Sequence, residues 1–188
     1  MKTRRLSTLA LIASLSTIAS LSTIASLSAC GAPGRTDVPK DMPASPAPAP
    51  LFELRDLNGS PVRLKDYRGK TVLLDFWATW CEPCKQSIPR YVAMQERLRG
   101  QGFAVIGVDM SEEPELVAAY AKKLGIDYPV VIDADAALFH AYRGVALPAA
   151  FLIDKQGNIR GRWNGFDAAT GLDVEAATDR LLGDKPQL

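Results

Sequence analysis

One histidine, three cysteines and four methionines in 188 residues remove several classes of function at once. A structural zinc site takes four ligands, mostly Cys and His. Beyond the close pair Cys81 and Cys84 the chain offers only Cys30 and His140, neither at a ligand spacing. No metal site is expected. His140 has no cysteine or acid beside it in a motif and reads as a surface or helix-end residue. Three cysteines make one pair and one odd residue, so no disulfide scaffold is implied. A copper-delivery protein could use Cys81 and Cys84 for Cu(I), a soft ion that suits thiolates, but the absence of a methionine cluster counts against it. Charge of one sign is lacking too. The formal net charge is +1, and setting aside Lys2, Arg4 and Arg5 leaves nineteen basic against twenty-one acidic side chains. Nothing supplies the clustered basic surface that a nucleic-acid partner needs.

The N-terminus explains the odd cysteine. Lys2, Arg4 and Arg5 form a positive end, and no charge follows until Arg35. Between them runs a tandem hexad, residues 12–17, 18–23 and 24–29, in a segment read as selected only for being apolar on average. It ends in Leu27-Ser28-Ala29-Cys30, which resembles the lipobox of bacterial lipoproteins. That resemblance implies cleavage after residue 29 and lipidation of Cys30. The alternative is an uncleaved anchor, weakened by the many Ser and Thr residues; either version exports the rest of the chain, because the positive end stays inside. Residues 30–50 are expected to be a linker. They hold six of the thirteen prolines, which favours extended chain and builds no core. The folded domain is expected over residues 51–188, an ordinary size for one domain.

Within it, Phe52-Glu53-Leu54, the turn Asn58-Gly59 and Val62-Arg63-Leu64 have the alternation and turn chemistry of a hairpin. Residues 71–78 form an apolar run interrupted only by Asp75 and read as a buried strand. Helical spacing follows from Cys84 through Ile88, Tyr91, Val92 and Leu98, with polar Gln95 on the seam and Pro89 inside. A second strand is expected over 103–108. Ser111, Glu112 and Glu113 then read as the cap and acidic first turn of a helix ending before Gly125. A short strand over 128–132, a short helix over 136–142, a hairpin of 149–153 with 158–163 and a closing helix over 172–182 complete the order. Strands alternating with helices give an α/β fold, a central mixed sheet with helices on both faces, an N-terminal β-hairpin and a terminal hairpin.

The chemistry sits in Trp80-Cys81-Glu82-Pro83-Cys84, at the junction of the buried strand and the first helix. A sulfur at a helix N-terminus meets backbone N–H groups and the positive end of the dipole, which favour the nucleophilic thiolate. Half of a zinc site and a plain structural disulfide are the alternatives; dithiol/disulfide exchange is the reading favoured. Asp75, six residues before Cys81, is a carboxylate in a buried strand, costly unless paired or held with a raised pKa. Buried acids of that kind cluster at functional sites.

The segment Asp75-Phe76-Trp77-Ala78-Thr79-Trp80-Cys81-Glu82-Pro83-Cys84-Lys85, with Pro89, resembles a thioredoxin active site. Leu147-Pro148, then Phe151-Leu152-Ile153-Asp154 and Gly157-Asn158-Ile159, is similar to the cis-proline segment and edge hairpin of that fold. The extra strand and helix between 103 and 132, the early hairpin and the lipobox narrow the resemblance to the TlpA/ResA group of membrane-tethered extracytoplasmic thiol-disulfide oxidoreductases. It covers residue 51 to the end. It implies a thioredoxin-like fold with a βα insert, and no cofactor beyond a redox-active Cys81–Cys84 disulfide. Cys81 is then the nucleophile and the more exposed sulfur, Cys84 the resolving thiol, and Asp75 the proton acceptor and donor for Cys84. Pro83 fixes the helix entry, Trp80 covers the rim, and Leu147 presents its backbone to a client beside a cis Pro148. Ala149-Ala150 and Ser87 depart from residues common in relatives and border the expected docking groove. Glu82, a negative charge between the cysteines, is expected to disfavour the thiolate and make the protein a reductant. Implied partners are client proteins carrying disulfides or thiols, apocytochrome c and copper-site assembly proteins among them, a membrane thiol reductase of the DsbD or CcdA kind, and the membrane itself through the lipid anchor. A thiol peroxidase of the related peroxiredoxin group is the enzymatic alternative, although it would place its reactive cysteine differently.

Overall fold

A computed structural model of the chain describes residues 46–183. The lipobox with Cys30 and most of the proline-rich linker lie outside the described residues. The described residues form eight strands: β1 (Ala47–Pro48), β2 (Glu53–Arg55), β3 (Pro61–Arg63), β4 (Thr71–Trp77), β5 (Phe103–Asp109), β6 (Val130–Ile132), β7 (Ala149–Ile153) and β8 (Asn158–Asn164). Four α-helices accompany them among the described residues, α1 (Cys84–Arg97), α2 (Pro114–Lys123), α3 (Ala137–Ala141) and α4 (Ala168–Gly183), with a short 3-10 turn at Leu64–Tyr67. The main sheet runs β1-β8-β7-β4-β5-β6, with β4, β5 and β6 parallel and the β7, β8 and β1 pairings antiparallel. The mixed sheet with helices on both faces is as expected from the order of patterns.

β4 and β5 are buried along their whole lengths, as parallel strands covered on both faces must be, and this is why they read as near-continuous apolar runs. Alternation then sorts β4. Leu73 and Trp77 belong to the core shared with α1, α2 and α4, through Ile88, Tyr91, Val117 and Val174. Val72, Leu74 and Phe76 belong to the opposite core, with Val62, Leu64, Leu138 and Tyr142. Asp75 shares the parity of Leu73 and Trp77 and so faces the α1 side. Gln95, polar on an apolar seam, has a use there: its side-chain carbonyl accepts the Val105 N–H at 2.8 Å and ties α1 to β5.

The early hairpin forms as expected, Leu54 opposite Val62, but as a separate two-stranded sheet. Its turn region touches the edge of β6 through an Asp56–Val131 bridge and a Leu57 N–H to Val130 carbonyl bond of 3.1 Å.

Three expectations change. The last residues of the proline run are part of the fold: Ala47 and Pro48 pair with Ile159 and Asn158, and Ala49 is buried. Proline tolerates this position because an edge strand leaves one side unpaired. Ser111 does not cap α2. It adopts φ +65°, and the residue before the helix is the extended Glu113, with Pro114 in the first turn. α4 begins at Ala168, earlier than residue 172, because Asp167 accepts the Thr170 N–H at 2.7 Å and caps the first turn.

Candidate functional site

β4 delivers the chain to the site. After Trp77 the backbone turns, with the Cys81 N–H on the Ala78 carbonyl at 3.1 Å and the Cys84 N–H on the Cys81 carbonyl at 3.2 Å. α1 starts at Cys84, preceded by Pro83, whose φ of −64° already suits the helix. Cys81 and Cys84 are joined in a disulfide with Cα atoms 5.3 Å apart. Both residues are nearly covered, but unequally: Cys81 retains 4 % of its surface and Cys84 none. Trp80 is 68 % exposed, and Trp77 is wholly buried, stacked on Tyr120.

Leu147-Pro148 is a cis peptide. The antiparallel register places Phe76 opposite Ala149, so Pro148 comes next along the row, beside the end of β4 that leads into the cysteine turn. The Pro148 carbonyl accepts the Gly165 N–H at 2.8 Å. Val145, three residues earlier, is 81 % exposed, so an apolar side chain flanks this segment as Trp80 flanks the cysteines.

Asp75 is fully buried, and neither carboxylate oxygen has a hydrogen-bond partner among the described residues. Burial pushes its carboxyl up to about 8 from an ordinary 3.8. An unpartnered carboxylate in an apolar core holds its proton, because desolvation penalises only the charged form. Its neighbour across the parallel pair is Gly107. A Cβ at Gly107 would come within 2.9 Å of Trp77 Nε1 and 3.3 Å of the Tyr128 ring, so the absent side chain is what lets both rings close over this end of the core.

Glu82 stands differently from the sequence reading. Its side chain is 78 % exposed and ion-pairs with Lys85, one helical turn on. Its charge is therefore turned to solvent and compensated, and the expected opposition to a Cys81 thiolate loses its footing. His140 is exposed on α3. No group of three or more metal-ligating side chains is found among the described residues.

A pair of acids that sequence reasoning passed over lies beside the turn. Glu112 accepts two hydrogen bonds from Thr79, the backbone N–H and the hydroxyl, each at 2.5 Å. The Glu112 N–H donates in turn to Asp109 Oδ1 at 3.0 Å. Asp109, at the end of β5 and paired with Trp77, is fully buried. Burial and the neighbouring Glu112 carboxylate push its carboxyl up. The contact joins residues 33 apart; no local pattern encodes it.

Against known proteins, a family model described as the AhpC/TSA family matches residues 46–162. The thiol-disulfide oxidoreductase ResA of Bacillus subtilis (strain 168) is 39% identical over 111 residues, which cover 59% of this chain and 62% of that protein. The ResA of Geobacillus kaustophilus (strain HTA426) is 40% identical over 112 residues, covering 60% and 64%. The match thus spans less than two thirds of these relatives' length. Among solved structures, a thiol:disulfide interchange protein, thioredoxin family protein, from Chlorobium tepidum TLS superposes with a TM-score of 0.67 at 32% identity, over 75% of this chain and 99% of that one.

Proposed function

The chain belongs to the AhpC/TSA family and has a thioredoxin-like fold, and on that premise we propose that it is a thiol-disulfide oxidoreductase of the ResA kind, working by exchange at Cys81 and Cys84. The observation that carries the reading is the Cys81–Cys84 disulfide at the mouth of α1 on the same side of β4 as a buried, proton-holding Asp75.

The exchange balances over two attacks. In the reduced protein the Cys81 thiolate attacks one sulfur of a client disulfide. A new S–S bond forms, and the second client sulfur leaves as a thiolate that takes a proton from water. Asp75, left ionised when it gave its proton to Cys84 on opening of the disulfide, takes that proton back as Cys84 attacks Cys81 Sγ, and the first client sulfur leaves as a thiolate that takes a proton from water. Two electrons have passed to the client, and the protein is left with the Cys81–Cys84 disulfide and a protonated Asp75. A carboxyl raised to about 8 suits that step, since proton transfer works best between groups of matched acidity. Pro148, beside the cysteines, offers the backbone of Leu147 to an extended client segment; Trp80 and Val145 give that segment apolar contact.

Residues near the N-terminus support a setting for this activity. The resemblance of residues 27–30 to a lipobox supports an extracytoplasmic protein tethered through lipidated Cys30, with part of the proline-rich segment as spacer. No helix among the described residues is long and apolar enough to cross a membrane. In that location electrons must come from a membrane thiol reductase of the DsbD or CcdA type. Fitting clients are exported proteins with disulfides to be reduced, such as apocytochrome c or copper-site assembly proteins.

The test is capture with Cys84→Ala. The reduced variant, mixed with a defined disulfide such as insulin, should hold a mixed disulfide on Cys81, identified by mass. Absence of any adduct overturns the exchange reading. Rapid peroxide consumption by the same variant would favour a thiol peroxidase instead.

A further inference from the structure

The acid lying between the two cysteines in sequence is turned to solvent, and a different acid is bonded to the turn. Glu82 is exposed and held by Lys85. Glu112 is half-buried, and among the described residues no Lys or Arg lies within ion-pair range of it. Its two oxygens take both polar hydrogens of Thr79, two residues before Cys81. The loop that carries Glu112 is shaped for this. Ser111 adopts φ +65°, a left-handed conformation that a serine enters at a cost. Its hydroxyl donates to the Asp133 carbonyl at 2.9 Å. The Glu112 N–H is anchored on Asp109 Oδ1, while Asp109 Oδ2, buried, has no donor. A carboxyl oxygen in that position is satisfied once it carries a proton that it can give to a neighbouring carboxylate. Strain observed in a backbone points to a role for what it positions.

We propose that Glu112, backed by Asp109, is the positioning residue of the dithiol: it holds the Thr79 end of the cysteine turn and its negative charge, close by and uncompensated, opposes the Cys81 thiolate. This rests on the exchange reading and deepens it. A half-buried anion is screened far less than a surface ion pair. An anion near a thiol raises the thiol pKa. Less stabilisation of the reduced, thiolate-bearing form lowers the reduction potential. The reductant character that sequence reasoning assigned to Glu82 thus belongs to Glu112. The other charges around the pair do not cancel it. Asp133, from the end of β6, is occupied by the Leu138 and Phe139 N–H groups. Glu113 and Glu115, before and in the first turn of α2, are exposed. Lys85 of α1 is engaged with Glu82.

The measurement is the acidity of Cys81 in the reduced, full-length protein, read from alkylation rate against pH, which needs no client. Glu112→Gln should lower the Cys81 pKa by about one unit, roughly a tenfold faster alkylation below it. The equilibrium with glutathione should shift towards the reduced protein by a similar factor. Glu82→Gln should change the Cys81 pKa by less than about a third as much, as expected of an exposed, compensated charge. Should Glu112→Gln fail to fold, Asp109→Asn tests the same pair, because in the alkaline range it removes one charge there and should move Cys81 the same way. An unchanged Cys81 pKa in the variant that folds, with only a lower melting temperature, makes Glu112 a structural clamp and overturns the proposal. So does a larger shift from Glu82→Gln. A normal pKa shift together with no client capture by Cys84→Ala would count against the exchange reading and leave the electrostatic role of Glu112 standing.

Discussion

Replacing Asp75 with Asn should make the oxidised protein more stable, by an amount that grows with pH. In the unfolded chain the carboxyl ionises near its ordinary 3.8, while in the fold burial holds it up at about 8. Between those values the folded state keeps a proton that the unfolded state has lost. The contribution of Asp75 to wild-type stability is therefore fully present below about pH 4, declines as pH rises towards about 8 and then levels off. Each pH unit in that window costs about 1.4 kcal/mol, so the penalty is below about 2 kcal/mol at pH 5 and near 4 kcal/mol at pH 7. Asn matches Asp in shape and has no proton to gain, so it escapes the penalty. Both side chains share the cost of burying polar atoms without partners. At pH 7 the gain corresponds to a midpoint shift of about 2 M in urea, for a denaturant slope near 2 kcal/mol/M. The assay is urea unfolding of oxidised wild type and Asp75→Asn at pH 5, 7 and 8.5, followed by tryptophan fluorescence. A gain that does not rise with pH would mean that Asp75 is solvated or paired in solution, and the proton-acceptor argument would fall with it. The same variant should release client more slowly from the mixed disulfide, about 100-fold by the usual worth of general-base assistance, because Cys84 has lost its acceptor.

Gln95→Leu would enlarge the apolar face of α1, yet it should destabilise by about 1–3 kcal/mol, because the Val105 N–H loses its partner; a neutral or stabilising effect in urea unfolding would show that the bond carries no weight. Tyr142→Phe removes the hydroxyl that donates to the Pro50 carbonyl at 2.9 Å and should cost about 1 kcal/mol. It should also speed proteolysis within residues 46–50 if that hydroxyl helps pin β1 to the sheet, and an unchanged cleavage rate would say that the strand pairing alone suffices.

What could be read from the sequence was what local pattern encodes. The unbroken apolar run of β4, the helical spacing after Cys84 and the turn chemistry of two hairpins each follow from neighbours a few residues apart. Asp75 was visible for the same reason, as one charge inside an apolar run. β1 was hidden because Ala and Pro carry no alternation, and only the partner strand shows that Ala47 and Pro48 are paired. The orientation of Glu82 could have been suspected, since Lys85 stands three residues on at ion-pair spacing. Glu112 could not. It looked like one of several acids near a helix start, and only the return of the β5–α2 loop towards the end of β4 brings it to Thr79.

Two acids then differ in burial, one within β4 and one bonded to the residue two before Cys81, and the difference decides what each can do. Asp75 lies within the core, where burial makes a charge costly and raises the carboxyl to about 8, so in the proposed exchange it is a store for a proton that it can release and take back. Glu112 lies at the margin, with both oxygens bonded to Thr79, where the proposal of a fixed charge places it. In the exchange proposed above, such a store serves Cys84, which must lose a proton to resolve the mixed disulfide. The fixed charge proposed at Glu112 would act on Cys81, which must remain a good nucleophile without becoming so stable a thiolate that it leaves at once. Exchanging the two roles would fail on both counts: a charge at Asp75 would lack solvation, and a neutral acid at Glu112 would leave the Cys81 thiolate unopposed. The reducing character argued for this site thus depends less on the residues between the cysteines than on where the fold places its acids.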